Sequence, residues 1–226
     1  MSELPWYGFL SRNDRGNTHK INFPTLLFLD PGILRHGQIE IESGVGPVPV
    51  RFLHLLGEMN AIKFTATKCF KHIHCWMPFI SKKRFFDCYL DPSFHSQPDV
   101  VLLLLSIKLV RELPPIHPPD ARTPLYHAAN HRHPEVEGSS IFSLPVLQAS
   151  VLLALYELGH AIYPAAYLTI GACARYAYAL GINIGSTVSM TKILTLVELE
   201  ERRRVWWAIA ILDRLVLRPL TSQPPL

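Results

Sequence analysis

The sequence predicts an all-α protein, an irregular multi-helix domain of about six to eight helices. Three observations carry that expectation. Apolar residues return at three- and four-residue spacing in the longer segments, as in Val205, Ile209, Leu212 and Val216. Strand signals are poor, since no hairpin dipeptide stands between alternating residues. Nineteen prolines and 12 glycines cut the 226 residues into short pieces, many at places that suit helix starts and stops. With 49% hydrophobic and 18% charged residues, the chain can bury a large core rather than remain disordered.

The elements follow in order. Residues 1–24 are polar and aromatic without period and are expected to be loose, which leaves 25–226 as the folded region. Leu26–Leu29 is an apolar patch closed by the turn signal Asp30-Pro31-Gly32, and Ser43–Pro49 reads as an extended linker. From Val50 to Phe70, apolar residues recur at helical spacing. Ser81 can cap a short helix through Phe85–Leu90. Asp99 is placed to cap a helix from Val100 to Glu112, which is apolar nearly all round and therefore central. A proline-rich break falls near 113–124, and a weaker helix spans Pro124–His131. Ser143, two residues before Pro145, starts the next helix, with Leu144, Leu147, Val151, Leu155 and Leu158 as its buried stripe and Gly159 as its stop. Pro164 opens another, Ala165 to Leu180, with Gly181 as its C′ residue. Its alanines, with Gly171 and Cys173, suit close packing on a neighbour.

The last helix, Thr195 to Leu217, contains EERRRVWWAIAILDR, from Glu200 to Arg214. Thr195 and Glu198 form a capping-box pattern, and Glu198 and Glu200 each precede an arginine, Arg202 and Arg204, by four residues. Such charges read as paired groups on a solvated helix face.

The net charge of +4 is mild, and the basic residues are scattered apart from Lys82-Lys83-Arg84 and Arg202-Arg203-Arg204, so no nucleic-acid footprint emerges. Cys69, Cys75, Cys88 and Cys173 form no CxxC pair and read as reduced intracellular thiols. No secretory pattern follows Met1, and the apolar runs Val100–Ile107 and Leu144–Tyr156 are too short or interrupted to span a bilayer, so a soluble chain is expected.

Catalytic and metal chemistry finds little support. Cys69, His72, His74 and Cys75 are the densest ligand-like cluster, but three would come from one short helix, where His74 points away from the others. His127, His131 and His133 flank a proline-rich turn without a nucleophile or zincin motif. The carboxylates Glu112, Asp120, Glu135, Glu137 and Glu157 show no pairing in the sequence. No metal site and no enzyme are expected.

Several blocks together resemble a known family. Leu152–Gly181 (LLALYELGHAIYPAAYLTIGACARYAYALG) is similar to the central regulatory region of fungal zinc-cluster transcription factors, and EERRRVWWAIAILDR follows at the family's distance. Phe28–Ile41, His74–Phe86 and Pro98–Val110 resemble the lead-in, so the likeness covers about 25–217. The resemblance implies a nuclear regulator of RNA polymerase II transcription, with protein partners in the transcription machinery or a homologous regulator, and a small-molecule effector as a further candidate. It implies DNA contact through a separate cluster in which six cysteines hold two zinc ions. The four cysteines here lack that spacing, so zinc and DNA binding attach to the family or a longer product. The family's domain continues beyond Arg218-Pro219, so the expectation is a domain truncated at its C-terminal end. Carried over residue by residue, Arg203, Arg204, Trp206, Trp207, Asp213 and Arg214 match the motif and are expected to be structural, the tryptophans as buried anchors and Asp213 paired within the domain. Trp207→Ala would then cost about 3–5 kcal/mol if the ring is buried. The competing reading is a cluster-less helical module that dimerises or competes with a full-length regulator.

Overall fold

The computed structural model describes residues 48–91, 97–112, 120–138, 143–182 and 195–221, with backbone alone at 137–138 and 218–221. The expectations for residues 1–47 and most of 113–122 lie outside the described residues. Among those described are eight α-helices: α1 Val50–Leu56, α2 Met59–His72, α3 Lys82–Arg84, α4 Pro98–Leu109, α5 Pro124–Gly138, α6 Leu144–Gly159, α7 Tyr163–Ala179 and α8 Leu196–Thr221. A π-helical turn, Phe85–Tyr89, continues α3. No strand occurs among the described residues.

The two most apolar helices form the centre. Every residue of α4 from Val100 to Ile107 is buried, and so is α6 from Leu144 to Ala154. α6 packs on α4, α5, α7 and α8, while α4 also contacts α1, α2 and α5. Helices apolar on all sides can be accommodated only under a complete coat of neighbours. α7 packs on both α6 and α8, and it buries Ala166, Ile170, Cys173, Tyr176 and Ala177 at helical spacing. Gly171 is not part of that contact, since a Cβ there would meet only the Arg175 guanidinium, at 3.6 Å.

Local rules explain most boundaries and most departures. The helical spacing expected from Val50 to Phe70 is shared between two helices, because Gly57 adopts φ 80°, ψ −162°, a conformation open essentially to glycine. Pro98 starts α4, and Asp99 sits in its first turn rather than at the cap. Its Oδ1 accepts from the Val100 N–H at 2.9 Å and its Oδ2 from the Ser143 hydroxyl at 2.8 Å, joining the starts of α4 and α6. α5 extends past His131 to Gly138 despite Pro134. Leu125, Ala129, Arg132 and Val136 form its buried stripe, and burial of that stripe outweighs the lost backbone bond.

Two helix ends share one geometry. After α7, the Ile182 N–H reaches Ala177 O at 2.8 Å and the Gly181 N–H reaches Tyr178 O at 2.9 Å, with Gly181 at φ 70°. After α6, the Ile162 N–H reaches Glu157 O at 2.8 Å and the Ala161 N–H reaches Leu158 O at 3.3 Å, with Ala161 at φ 59°. Both are Schellman closures. The expected stop at Gly159 is therefore displaced: Gly159 ends the helix proper, and Ala161 takes the left-handed position.

Candidate functional site

The first turns of α8 build a polar junction on the inside of the molecule. Thr195 Oγ1 accepts from the Glu198 N–H at 3.2 Å, fixing the helix start. Three residues beyond Thr195's capping partner comes Glu201, which shares a helical face with Val205 and Leu212 and is only 3% exposed. Its Oε1 accepts the Ser81 N–H at 2.7 Å and the Gln148 amide at 3.4 Å, and its Oε2 accepts Arg84 Nη1 at 2.8 Å. Gln148 also donates to Phe79 O at 3.1 Å. Ser81 meanwhile caps α3, its Oγ accepting the Arg84 N–H at 3.3 Å. One buried carboxylate thus ties α8 to α6 and to the 77–84 segment. Its charge is tolerable because it is paired and hydrogen-bonded.

One residue earlier, Glu200 faces outward. Arg203 Nε and Arg204 Nε donate to it at 2.9 and 2.7 Å, and these bonds hold its carboxyl down at about 2. Arg204 also reaches Pro78 O at 3.4 Å. Arg202 bonds Glu198 at 3.3 Å and Leu180 O, at the end of α7, at 3.1 Å. The three arginines are engaged within the domain. A groove of about 380 Å³ opens beside them, lined by His74, Lys82, Leu196, Val197, Glu200 and Arg204 among others. Burial depresses the His74 pKa, and His74 Nε2 lies 2.9 Å from Ile80 O.

Of the motif residues named in the sequence, the structure gathers Arg203 and Arg204 around Glu200 and disperses the others. Trp206 is partly buried, edge-on to Tyr178 with centroids 5.1 Å apart. Trp207 is 54% exposed, so the cost of truncating a buried ring does not apply to it. Asp213 and Arg214 are exposed. At 100° per residue, Trp207 stands opposite the Leu212 face, and that alone keeps it out of the core. The sequence marks Ser81 only as a helix cap, a role it fills, and gives no role to Arg84 or Gln148, although an acid in register with Val205 and Leu212 was a readable signal for Glu201.

The cysteine–histidine cluster does not converge. Cys69 is buried, and burial pushes its thiol up to about 11. His72 is exposed, and the Cys75 thiol donates to His72 O at 3.0 Å. Among the described residues, no group of three or more His, Cys, Asp or Glu is placed to hold a metal ion, so zinc does not fit these side chains. His127 and His131 are exposed. His133 hydrogen-bonds Ser150, and burial holds its imidazole down at about 4. The carboxylates find separate partners: Glu112 accepts Thr123 Oγ1 at 2.8 Å, Asp120 accepts the Arg122 N–H at 2.8 Å, and Glu135 accepts Arg132 at 3.0 Å. Fully buried Glu157 accepts Tyr126 Oη at 2.9 Å, and burial raises its pKa. The Glu137 side chain lies outside those described.

The distinguishing feature of this all-α scaffold is a charged helix pinned on its inner face and open on its outer one. Residues 69–217 match the fungal specific transcription factor domain, and the chain belongs to that family. It is also similar to Transcription factor BOA15 of Botryotinia fuckeliana (strain B05.10), at 37% identity over 153 residues, which cover 66% of this chain and 84% of that protein. No solved structure matches. The role is regulatory, in transcription.

Proposed function

We propose that the chain works in the nucleus as a non-enzymatic regulatory domain in transcription by RNA polymerase II, acting through protein contacts. The observation that carries this reading is the double use of α8. Its inner face is pinned by Glu201 to Ser81, Arg84 and Gln148, which makes the motif helix a rigid rib. Its outer face stays open beside the groove at Lys82 and Arg204, where a protein segment or a small effector can reach it. Direct contact with DNA would require a six-cysteine zinc cluster elsewhere, since the four cysteines present are uncrosslinked and do not converge.

The test is a reporter assay in fungal cells with the full chain fused to an unrelated DNA-binding module. Output should change relative to the module alone, and the fusion partner-free protein should accumulate in nuclei. Unchanged output with the protein stably expressed would reject the proposal. Elemental analysis of the purified chain should give zinc well below one equivalent.

A further inference from the structure

We infer that the outer face of α8 is a docking surface for an acidic amphipathic helix of a protein partner. This deepens, and rests on, the reading of the chain as a regulator that works through protein contacts. Trp207, Ile211 and Leu215 stand at i, i+4 and i+8 and are 54%, 47% and 41% exposed. An apolar stripe of that spacing normally marks the buried side of a helix, yet α8 already buries Val205, Leu212 and Val216 on its other side. The helix is thus apolar on two faces, and one of them is uncovered among the described residues.

The stripe continues into the groove at the start of α8, where Leu196 is 85% and Val197 48% exposed. From Leu196 to Leu215 the surface runs about 30 Å, the length of about five helical turns. A ligand helix laid along it could place apolar anchors over Leu196, Trp207 and Ile211 at once.

Charge selects the partner. Lys82, Arg203, Arg204 and Arg214 border this face, against the half-buried carboxylate of Glu200, whose charge two of those arginines already share. Glu201 lines the groove but is neutralised by Arg84. Asp213 is turned about 100° round the helix from Arg214. A second copy of the chain would bring the same arginines against themselves, which disfavours self-pairing through α8. Acidic side chains flanking an apolar stripe complement both features.

The experiment titrates the full chain with a synthetic helical peptide carrying leucine at i, i+4 and i+8 and glutamate at the flanking positions, followed by tryptophan fluorescence and calorimetry. A twin peptide with lysine in place of glutamate, phosphatidylserine-containing vesicles and duplex DNA serve as the other arms. The acidic peptide should bind, with affinity falling as salt rises, and the lysine twin should bind at least about tenfold more weakly. Ile211→Glu and Arg214→Glu are both surface changes and should each cost about tenfold in affinity with the melting temperature unchanged. Equal binding of the two peptides, indifference to both substitutions, or no binding of the acidic peptide would overturn the inference. So would tighter binding to vesicles or DNA, or a dimer that Ile211→Glu dissociates. The reporter assay keeps the two readings apart: a silent wild-type fusion rejects the regulatory reading, whereas an active fusion unaffected by Ile211→Glu rejects only the docking surface.

Discussion

The inner and outer faces of α8 are written in the same residue types and do opposite work. Glu201 and Glu200 are neighbours in sequence, as are Leu212 and Ile211. Glu201 and Leu212 are almost fully enclosed, whereas Glu200 is only half-buried and Ile211 is open to solvent. Residue type alone therefore predicts nothing about their importance to the fold. Position on the helical wheel decides it, because each residue step turns the side chain by about 100°.

The largest expected effect tests the apolar pair. Leu212 is 1% exposed, and Leu212→Ala should destabilise by about 2–5 kcal/mol through lost burial and the cavity left behind. Ile211, at 47% exposure, should give a loss within about 0.5 kcal/mol when truncated to alanine. Urea unfolding of the two variants side by side makes the comparison. Equal losses would mean that the outer face is covered in solution and would break the distinction between the faces.

The charged pair should separate next. Glu201→Ala leaves Arg84 and the Ser81 N–H without their acceptor in a largely enclosed site, and a loss of about 2–3 kcal/mol is expected, less than for a fully buried pair because Arg84 keeps some solvent. Glu200→Ala removes a surface pairing with Arg203 and Arg204 and should leave the melting temperature unchanged, although those two bonds depress its pKa strongly. A pKa shift on an exposed carboxylate is thus a poor guide to stability here.

Burial also shows in the pH dependence that His133 of α5 should bring. His133 has its pKa held at about 4 by burial, below its usual 6.5, whereas His131 is exposed. Between those two values the unfolded chain takes up a proton that the folded chain refuses. This contribution to stability is therefore full above about pH 6.5 and is lost as pH falls toward 4, with a slope of at most about 1.4 kcal/mol per pH unit. Buried Glu157, whose pKa is raised, contributes in the opposite sense, losing stability as pH rises above the usual carboxylate value of 4.5. His133→Gln should flatten the slope between pH 6.5 and 5 in urea titrations.

Fold class, the order of the helices and the central place of α4 were legible because they rest on composition and periodicity, which are local properties, whereas α6, read as buried along one stripe, is enclosed on every side from Leu144 to Ala154. The groove and the Glu201 junction were far less so. Ser81, Gln148 and Glu201 are ordinary polar residues until the chain folds, and their contacts span 53 to 120 positions. The tryptophan pair was misleading for a related reason. Adjacent residues on a helix cannot both face the core squarely, and among the described residues Trp206 packs edge-on to the ring of Tyr178 while Trp207 is 54% exposed. The extended α5 shows tertiary burial overriding a proline, which no local rule anticipates.

The smallest effect concerns the two helix ends, where glycine and alanine occupy equivalent positions. Gly181 at φ 70° adopts the left-handed conformation without a Cβ penalty, while Ala161 at φ 59° bears one of roughly 1 kcal/mol. Ala161→Gly should release that strain, offset in part by greater freedom of the unfolded chain, for a net gain of about 0.5 kcal/mol. Gly181→Ala should cost about 1 kcal/mol for the mirror-image reason. Thermal melts of the two single variants give opposite signs if both turns hold their Schellman bonds, and a destabilising Ala161→Gly would show that the α6 turn is held by the packing of the alanine methyl rather than strained by it.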